Sequence, residues 1–103
     1  MSHELAEKTA GLASRVNNLA VCHTGQDSRE LLEEQDMLAK LALVAIVKDL
    51  REEHEDYKTA MNGLDAAIRF IGEADKQISD IAKAITLVAK AGQLVEKALE
   101  TAV

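Results

Sequence analysis

The fold of this chain depends on one stretch, Tyr57–Ile71, which reads YKTAMNGLDAAIRFI. At its centre stands Asn62-Gly63, the strongest turn dipeptide in the sequence. Apolar side chains nevertheless recur every seven residues across that dipeptide, at Tyr57, Leu64 and Ile71. A turn at this point predicts a helical hairpin, whereas an uninterrupted repeat predicts a single long helix.

The seven-residue repeat extends outward from this stretch over most of the chain. With Leu43 at the first heptad position, the first and fourth positions stay uncharged from Leu43 to Ala102, except at Glu53. A 3.5-residue repeat of this length is typical of helices that pack as coiled coils. We predict a packing seam formed by Leu43, Ile46, Leu50, Ile78, Ile81, Ile85, Val88, Val95 and Leu99.

These patterns predict an all-α fold in one domain covering 1–103, with helices at about 2–23, 28–61 and 64–102. The break after the first helix is expected at Gly25. The second break is expected at Asn62-Gly63, because a glycine inside a helix costs about 1 kcal/mol relative to alanine. A short first helix and a long antiparallel hairpin then form an up-down three-helix, coiled-coil-like arrangement. The alternative is one helix from about 28 to 102 in an intermolecular coiled coil.

In the hairpin arrangement, the first helix is too short to cover the far end of the other two. The apolar residues at that end are then left uncovered, and an uncovered apolar patch marks an interface. We therefore predict a homo-oligomeric helical bundle, with a two-fold dimer favoured. The residues expected at this interface are Tyr57, Met61, Leu64, Ile68, Phe70 and Ile71.

Composition restricts the possible partners and the compartment. The chain has 18 acidic and 12 basic residues, a net charge of −6, which argues against a general nucleic-acid-binding protein. Its single cysteine, Cys22, cannot form an internal disulfide, so a reducing, cytoplasmic location is expected. The N-terminus lacks the pattern of a signal peptide, and no apolar run approaches the length of a membrane span.

The sequence offers no convincing catalytic, cofactor or metal site. Cys22 and His23 are neighbours, but adjacent helical residues point about 100° apart, so a small buried thiol near a helix end is the favoured interpretation. The Glu-x-x-His pairs of helical di-iron bundles are absent. Glu53 and His54 lie in a charged run that is expected to be an exposed shoulder; a polar layer that fixes register is the alternative.

Basic residues recur every seven positions at Arg69, Lys76, Lys83, Lys90 and Lys97. They stand opposite the seam, so a solvated ridge is favoured over contact with an acidic helix or an anionic membrane. We predict a non-enzymatic interaction protein that acts through homo-oligomerisation and an unidentified protein partner, as an adaptor, chaperone or neutraliser does. The alternative is a membrane-surface-active or pore-forming protein that uses the amphipathic C-terminal helix and its basic edge.

Overall fold

A computed structural model describes residues 3–48, 51–73 and 81–101 of the chain. Within these ranges the protein is all-helical and has four helices: α1 (Glu4–Val21), α2 (Gly25–Val47), α3 (Glu55–Glu73) and α4 (Ile81–Thr101). The all-α prediction is confirmed, but the prediction of three helices is wrong. The break between α1 and α2 lies where it was expected, and there Gly25 adopts a φ of 69°, in the left-handed region that favours glycine.

The helices pack as two antiparallel hairpins, α1–α2 and α3–α4, laid side by side. In the first hairpin the Ser28 hydroxyl donates to the Ala20 carbonyl at 3.1 Å, while His3 and Ile46 meet at the other end. Lys8 contacts Asp65, and Leu19 lies beside Ile71, so α1 and α3 run parallel. It follows that α2 and α4 are also parallel. The helices therefore alternate up and down, and α2 and α3 lie diagonally opposite each other in the bundle.

The core lies where the four helices meet and is built largely from leucine, valine and alanine. Leu5, Leu12 and Val16 of α1 and Leu31 and Leu38 of α2 are fully buried. The second hairpin contributes narrower side chains, because many of its inward positions are alanine. Its buried residues in the described part are Tyr57, Ala60, Leu64, Ala67, Ile71, Ala84, Val88, Ala91, Val95, Ala98 and Leu99.

The predicted turn at Asn62-Gly63 does not form, because both residues lie inside α3. A Cβ atom built on Gly63 would stand 2.7 Å from Cδ1 of Leu94, so the glycine lets α3 and α4 approach closely. Its role is packing rather than chain reversal.

The break after α2 falls instead in the charged segment at 48–54. Lys48 adopts an extended conformation with ψ of 143°, which ends α2. His54 then caps α3, since its Nδ1 accepts the Asp56 backbone N–H at 3.1 Å. Glu55 and Asp56 place negative charge at the positive end of the helix dipole. The single helix from about 28 to 102 is therefore wrong as well.

The break also removes the first part of the predicted seam. Leu43 and Ile46 are 68% and 48% exposed, so neither belongs to the core of this chain. Their heptad phase was extended back from α3, but the connection at 48–54 separates the two helices and resets the phase. In α4, Val88, Val95 and Leu99 are buried, and Ile81 and Ile85 pack partly buried against the core. Leu50 and Ile78 lie outside the described residues.

Candidate functional site: the α1–α2 groove

An open groove of about 740 Å³ runs between α1 and α2, on the side of the bundle away from α3 and α4. It is lined by both helices over much of their length. The lining residues are His3, Ala6, Glu7, Ala10, Ala13, Ser14, Gln35, Ala39, Ala42, Leu43 and Ile46.

The groove forms because small side chains line the outer side of the α1–α2 contact. Ala6, Ala10 and Ala13 follow one another at helical spacing on α1, and Ala39 and Ala42 do so on α2. Methyl side chains let the two helices approach, but they are too short to fill the space above the helix contact. The result is a shallow furrow with an apolar floor.

Larger apolar residues form a ridge along the α2 side of this groove. Leu43 and Ile46 line the groove itself, while Leu32 and Val47 extend the ridge along α2 and are 43% and 81% exposed. Spacings of three, four and seven residues bring such side chains to one side of a helix. These ridge residues lie beside the buried stripe of α2, which consists of Leu31, Leu38, Ala42 and Ala45.

The exposed large apolar residues of the described chain all belong to α1 or α2. They are Val21, Leu32, Leu43, Val44, Ile46 and Val47. Within the described residues, the large apolar side chains of α3 and α4 are buried or partly buried, so the exposed apolar surface is concentrated on α1 and α2. Soluble proteins rarely leave such a patch open without a binding role.

Charge is sparse inside the groove. Glu7 is the single acidic residue of its lining, and His3, Ser14 and Gln35 are its other polar members. Asp36 and Lys40 pair with each other at 2.9 Å on the neighbouring surface of α2. The low density of charge is what the centre of a protein interface requires, since charged groups lose hydration when they are covered.

The residues predicted to form an uncovered interface lie inside the bundle. Tyr57, Leu64 and Ile71 are buried, and Met61, Ile68 and Phe70 pack partly buried against the core. They are covered because α3 is a separate helix that packs against both α1 and α4, whereas the three-helix arrangement left its end bare. The reason for an interface at these six residues is therefore absent.

The predicted basic edge lies on the opposite side of the bundle from the groove. Arg69, Lys83, Lys90 and Lys97 are exposed on α3 and α4, and Lys76 lies outside the described residues. Lys83 Nζ stands 5.2 Å from the centre of the Phe70 ring, a cation–π distance. Lys97 Nζ is 4.0 Å from Asp56 Oδ1. Both contacts join α4 to α3 within the chain.

Two buried polar atoms have no hydrogen-bond partner among the described residues: Oε2 of Glu34 and the hydroxyl of Tyr57. Burial raises the pKa of Glu34 above its usual range, and the neighbouring carboxylates of Glu33 and Glu30 raise it further. Neither Glu34 nor Tyr57 belongs to the lining of the α1–α2 groove.

A second, more polar cleft of about 480 Å³ lies between α1 and α3 and includes Arg15, Asn18 and the exposed Cys22. The lining of this cleft contains no histidine or carboxylate that could act as a base for Cys22 or pair with Arg15. Over the described ranges, no three histidine, cysteine, aspartate or glutamate residues are placed to hold a metal ion.

Comparisons with family models, with curated proteins and with solved structures found no match to this chain. None of the four helices, as far as they are described, is long and apolar enough to cross a membrane.

Proposed function

We propose that this chain is a non-enzymatic helical interaction protein that acts through homo-oligomerisation and through binding a protein partner, in the manner of an adaptor, chaperone or neutraliser. One observation carries the proposal: the exposed large apolar side chains of the described chain are gathered on α1 and α2. Covering them with another protein surface removes apolar area from water, which is the main driving force of association.

The shape of the site supports binding rather than catalysis. Enzymes concentrate convergent polar groups in a concave pocket, often with strongly perturbed acids or bases. The α1–α2 groove is instead floored by alanines and is open along its length. An open, apolar, helix-lined furrow fits a helix of another protein chain.

The same arrangement weighs against action at a membrane surface through the basic edge. A helix that binds a membrane surface presents an apolar face to the lipid, with its basic residues beside that face. In α4 the apolar face is turned into the bundle, with Ala84, Val88 and Val95 fully buried. The exposed apolar residues lie on α1 and α2, away from the lysines of α4. Membrane binding through α4 would therefore require the bundle to open.

The test is sedimentation velocity of the wild-type chain from about 1 to about 300 µM, a range that spans weak and standard interfaces. We expect a species heavier than the 11.2 kDa chain whose proportion rises with concentration. A single 11.2 kDa species throughout would refute homo-oligomerisation. Co-sedimentation with anionic liposomes at low salt, without added partner, would instead support the membrane alternative.

A further inference from the structure

The α1–α2 side of the bundle has an apolar furrow floored by alanines and an apolar ridge on α2 beside it. We propose that a second copy of this chain occupies the groove, so that two copies form a two-fold dimer whose axis runs along the groove, parallel to the helices. This inference rests on the proposed homo-oligomerisation and adds the surface, the occupant and the geometry. A two-fold interface uses the same patch on both copies, so it must be complementary to itself.

The register of the α1–α2 hairpin supplies this complementarity. Ala20 lies level with Ser28, because the Ser28 hydroxyl donates to the Ala20 carbonyl, and His3 and Ile46 both line the groove toward its other end. Two residues, one from α1 and one from α2, are therefore level when their residue numbers add up to about 49. Ala39 is accordingly level with Ala10.

A two-fold axis along the groove places α2 of each copy over α1 of the other. Because the axis is parallel to the helices, residues that are level within one copy are also level between the two copies. The Leu43 side chain of one copy then meets Ala6 and Ala10 of the second copy, where methyl groups leave room for it. The ridge of each copy fills the furrow of the other, and the two hairpins form an intermolecular four-helix layer with antiparallel neighbours across the interface.

The exposed area is sufficient for a weak to moderate dimer. From their exposed fractions, Leu32, Leu43, Ile46 and Val47 together offer roughly 400 Å² of apolar surface per copy. The alanine floor brings the buried area to about 1,000 Å² for the pair, the lower limit of a specific interface. The area favours a dissociation constant in the micromolar range over an obligate dimer.

Electrostatics favour this face over the others for self-association. A chain with a net charge of −6 repels its own copy, so the contact must avoid bringing acidic groups together. Glu7 is the single acidic group of the groove lining, and it lies near one end, close to His3. In the dimer, Glu7 faces the apolar end of the second copy's α2, not its symmetry mate, because α1 lies over α2.

The test compares Ala10→Glu with Ala66→Glu by sedimentation. Both replace an exposed helical alanine with the same charged residue, but Ala10 lies in the groove and Ala66 lies on α3, on the other side of the bundle. We expect Ala10→Glu to raise the dimer dissociation constant at least about tenfold and Ala66→Glu to change it less than about twofold. Leu43→Glu should act as Ala10→Glu does, with helical circular dichroism unchanged because Leu43 is exposed.

Mixed disulfide formation tests the direction of the axis. In a Cys22→Ser background, a chain carrying Ala10→Cys is mixed with a chain carrying Ala39→Cys. The axis along the groove predicts that the mixed disulfide forms faster than either disulfide between identical chains. Faster disulfides between identical Ala10→Cys chains would overturn this axis, since they would require α1 to lie over α1.

The outcomes separate this inference from the proposed function. A wild-type monomer at all concentrations would overturn both. A wild-type oligomer that Ala10→Glu and Leu43→Glu leave intact would overturn only the groove as its interface. Equal dissociation by Ala10→Glu and Ala66→Glu would do the same, because the effect would then come from added charge alone.

Discussion

Replacing Asn62 with proline should lower the free energy of unfolding by about 3 kcal/mol or more. Asn62 is the eighth residue of α3, well inside a helix of 19 residues. Proline there removes the N–H that bonds to the Lys58 carbonyl, and its ring collides with that carbonyl. A domain of this length has a total stability of about 5–15 kcal/mol, so the loss is a large part of the whole.

The assay is urea unfolding followed by circular dichroism at 222 nm, with protein concentration held fixed because association contributes to stability. The matched variant is Asn62→Ala. If position 62 is an exposed position within a helix, Asn62→Ala should raise the free energy of unfolding by about 0.5 kcal/mol, because asparagine is the poorer helix former. In a tight turn, asparagine would be the favoured residue and alanine would lower stability.

The two variants together test both the sign and the size of the change in the free energy of unfolding. A loss below about 1 kcal/mol for Asn62→Pro, combined with a loss for Asn62→Ala, would show that the dipeptide turns and that α3 is not continuous. That result would restore the hairpin about Asn62-Gly63. It would also remove the basis for the α1–α2 face as the open side, since the bundle would then be assembled differently.

Further measurements test the packing. Leu64→Ala should cost about 3 kcal/mol because Leu64 is fully buried, while Leu43→Ala should cost less than about 0.5 kcal/mol at dilute, monomeric concentration; equal losses would contradict the bundle. Glu34 has a raised pKa, so its charge opposes folding at neutral pH, and that penalty is lost as pH falls through the raised pKa toward 4.5. Glu34→Gln should therefore be more stable than wild type at pH 7, with the advantage gone below pH 4.5, as measured by urea unfolding across pH. Tyr57→Phe removes a buried hydroxyl without a described partner, so thermal unfolding should show no loss of stability and a small gain.

The sequence predicted what depends on local, strongly repeated signals. The helical class followed from heptads rich in alanine, leucine and isoleucine, and the first break followed from Gly25, whose φ of 69° favours a residue without a Cβ atom. The buried positions of α4, including Val88 and Val95, followed from the same periodicity.

The remaining errors come from features that act only through tertiary contacts. Asn62-Gly63 has the same sequence whether it turns or continues a helix, and in the structure both residues lie inside α3, where Gly63 faces Leu94. Conversely, the real break at 48–54 has no proline or glycine to announce it. His54 contributes through a cap to Asp56, a role that charged composition conceals.

The predicted interface depended on the same break. Once α3 begins at Glu55, its apolar residues gain α1 as a neighbour, and the uncovered surface moves from Tyr57 and Leu64 to the outer side of α2. The heptad phase places Leu43 in the packing seam, whereas in the structure its side chain is 68% exposed on α2. A seven-residue repeat reports which side of a helix is apolar, but it does not report whether the same chain or another covers it.

Alanine position explains why one hairpin is closed and the other is open. In α3 and α4, Ala60, Ala67, Ala84 and Ala91 point inward, so the helices approach closely and bury their larger neighbours. In α1 and α2, the alanines also lie along the outer side of the helix contact, and Leu43 and Ile46 lie beside them, 68% and 48% exposed. In a single chain, the exposed parts of Leu43 and Ile46 lower solubility, and polar residues at those two positions would raise it. Their presence beside a floor of methyl groups supports the proposal that a helix of a second copy covers them.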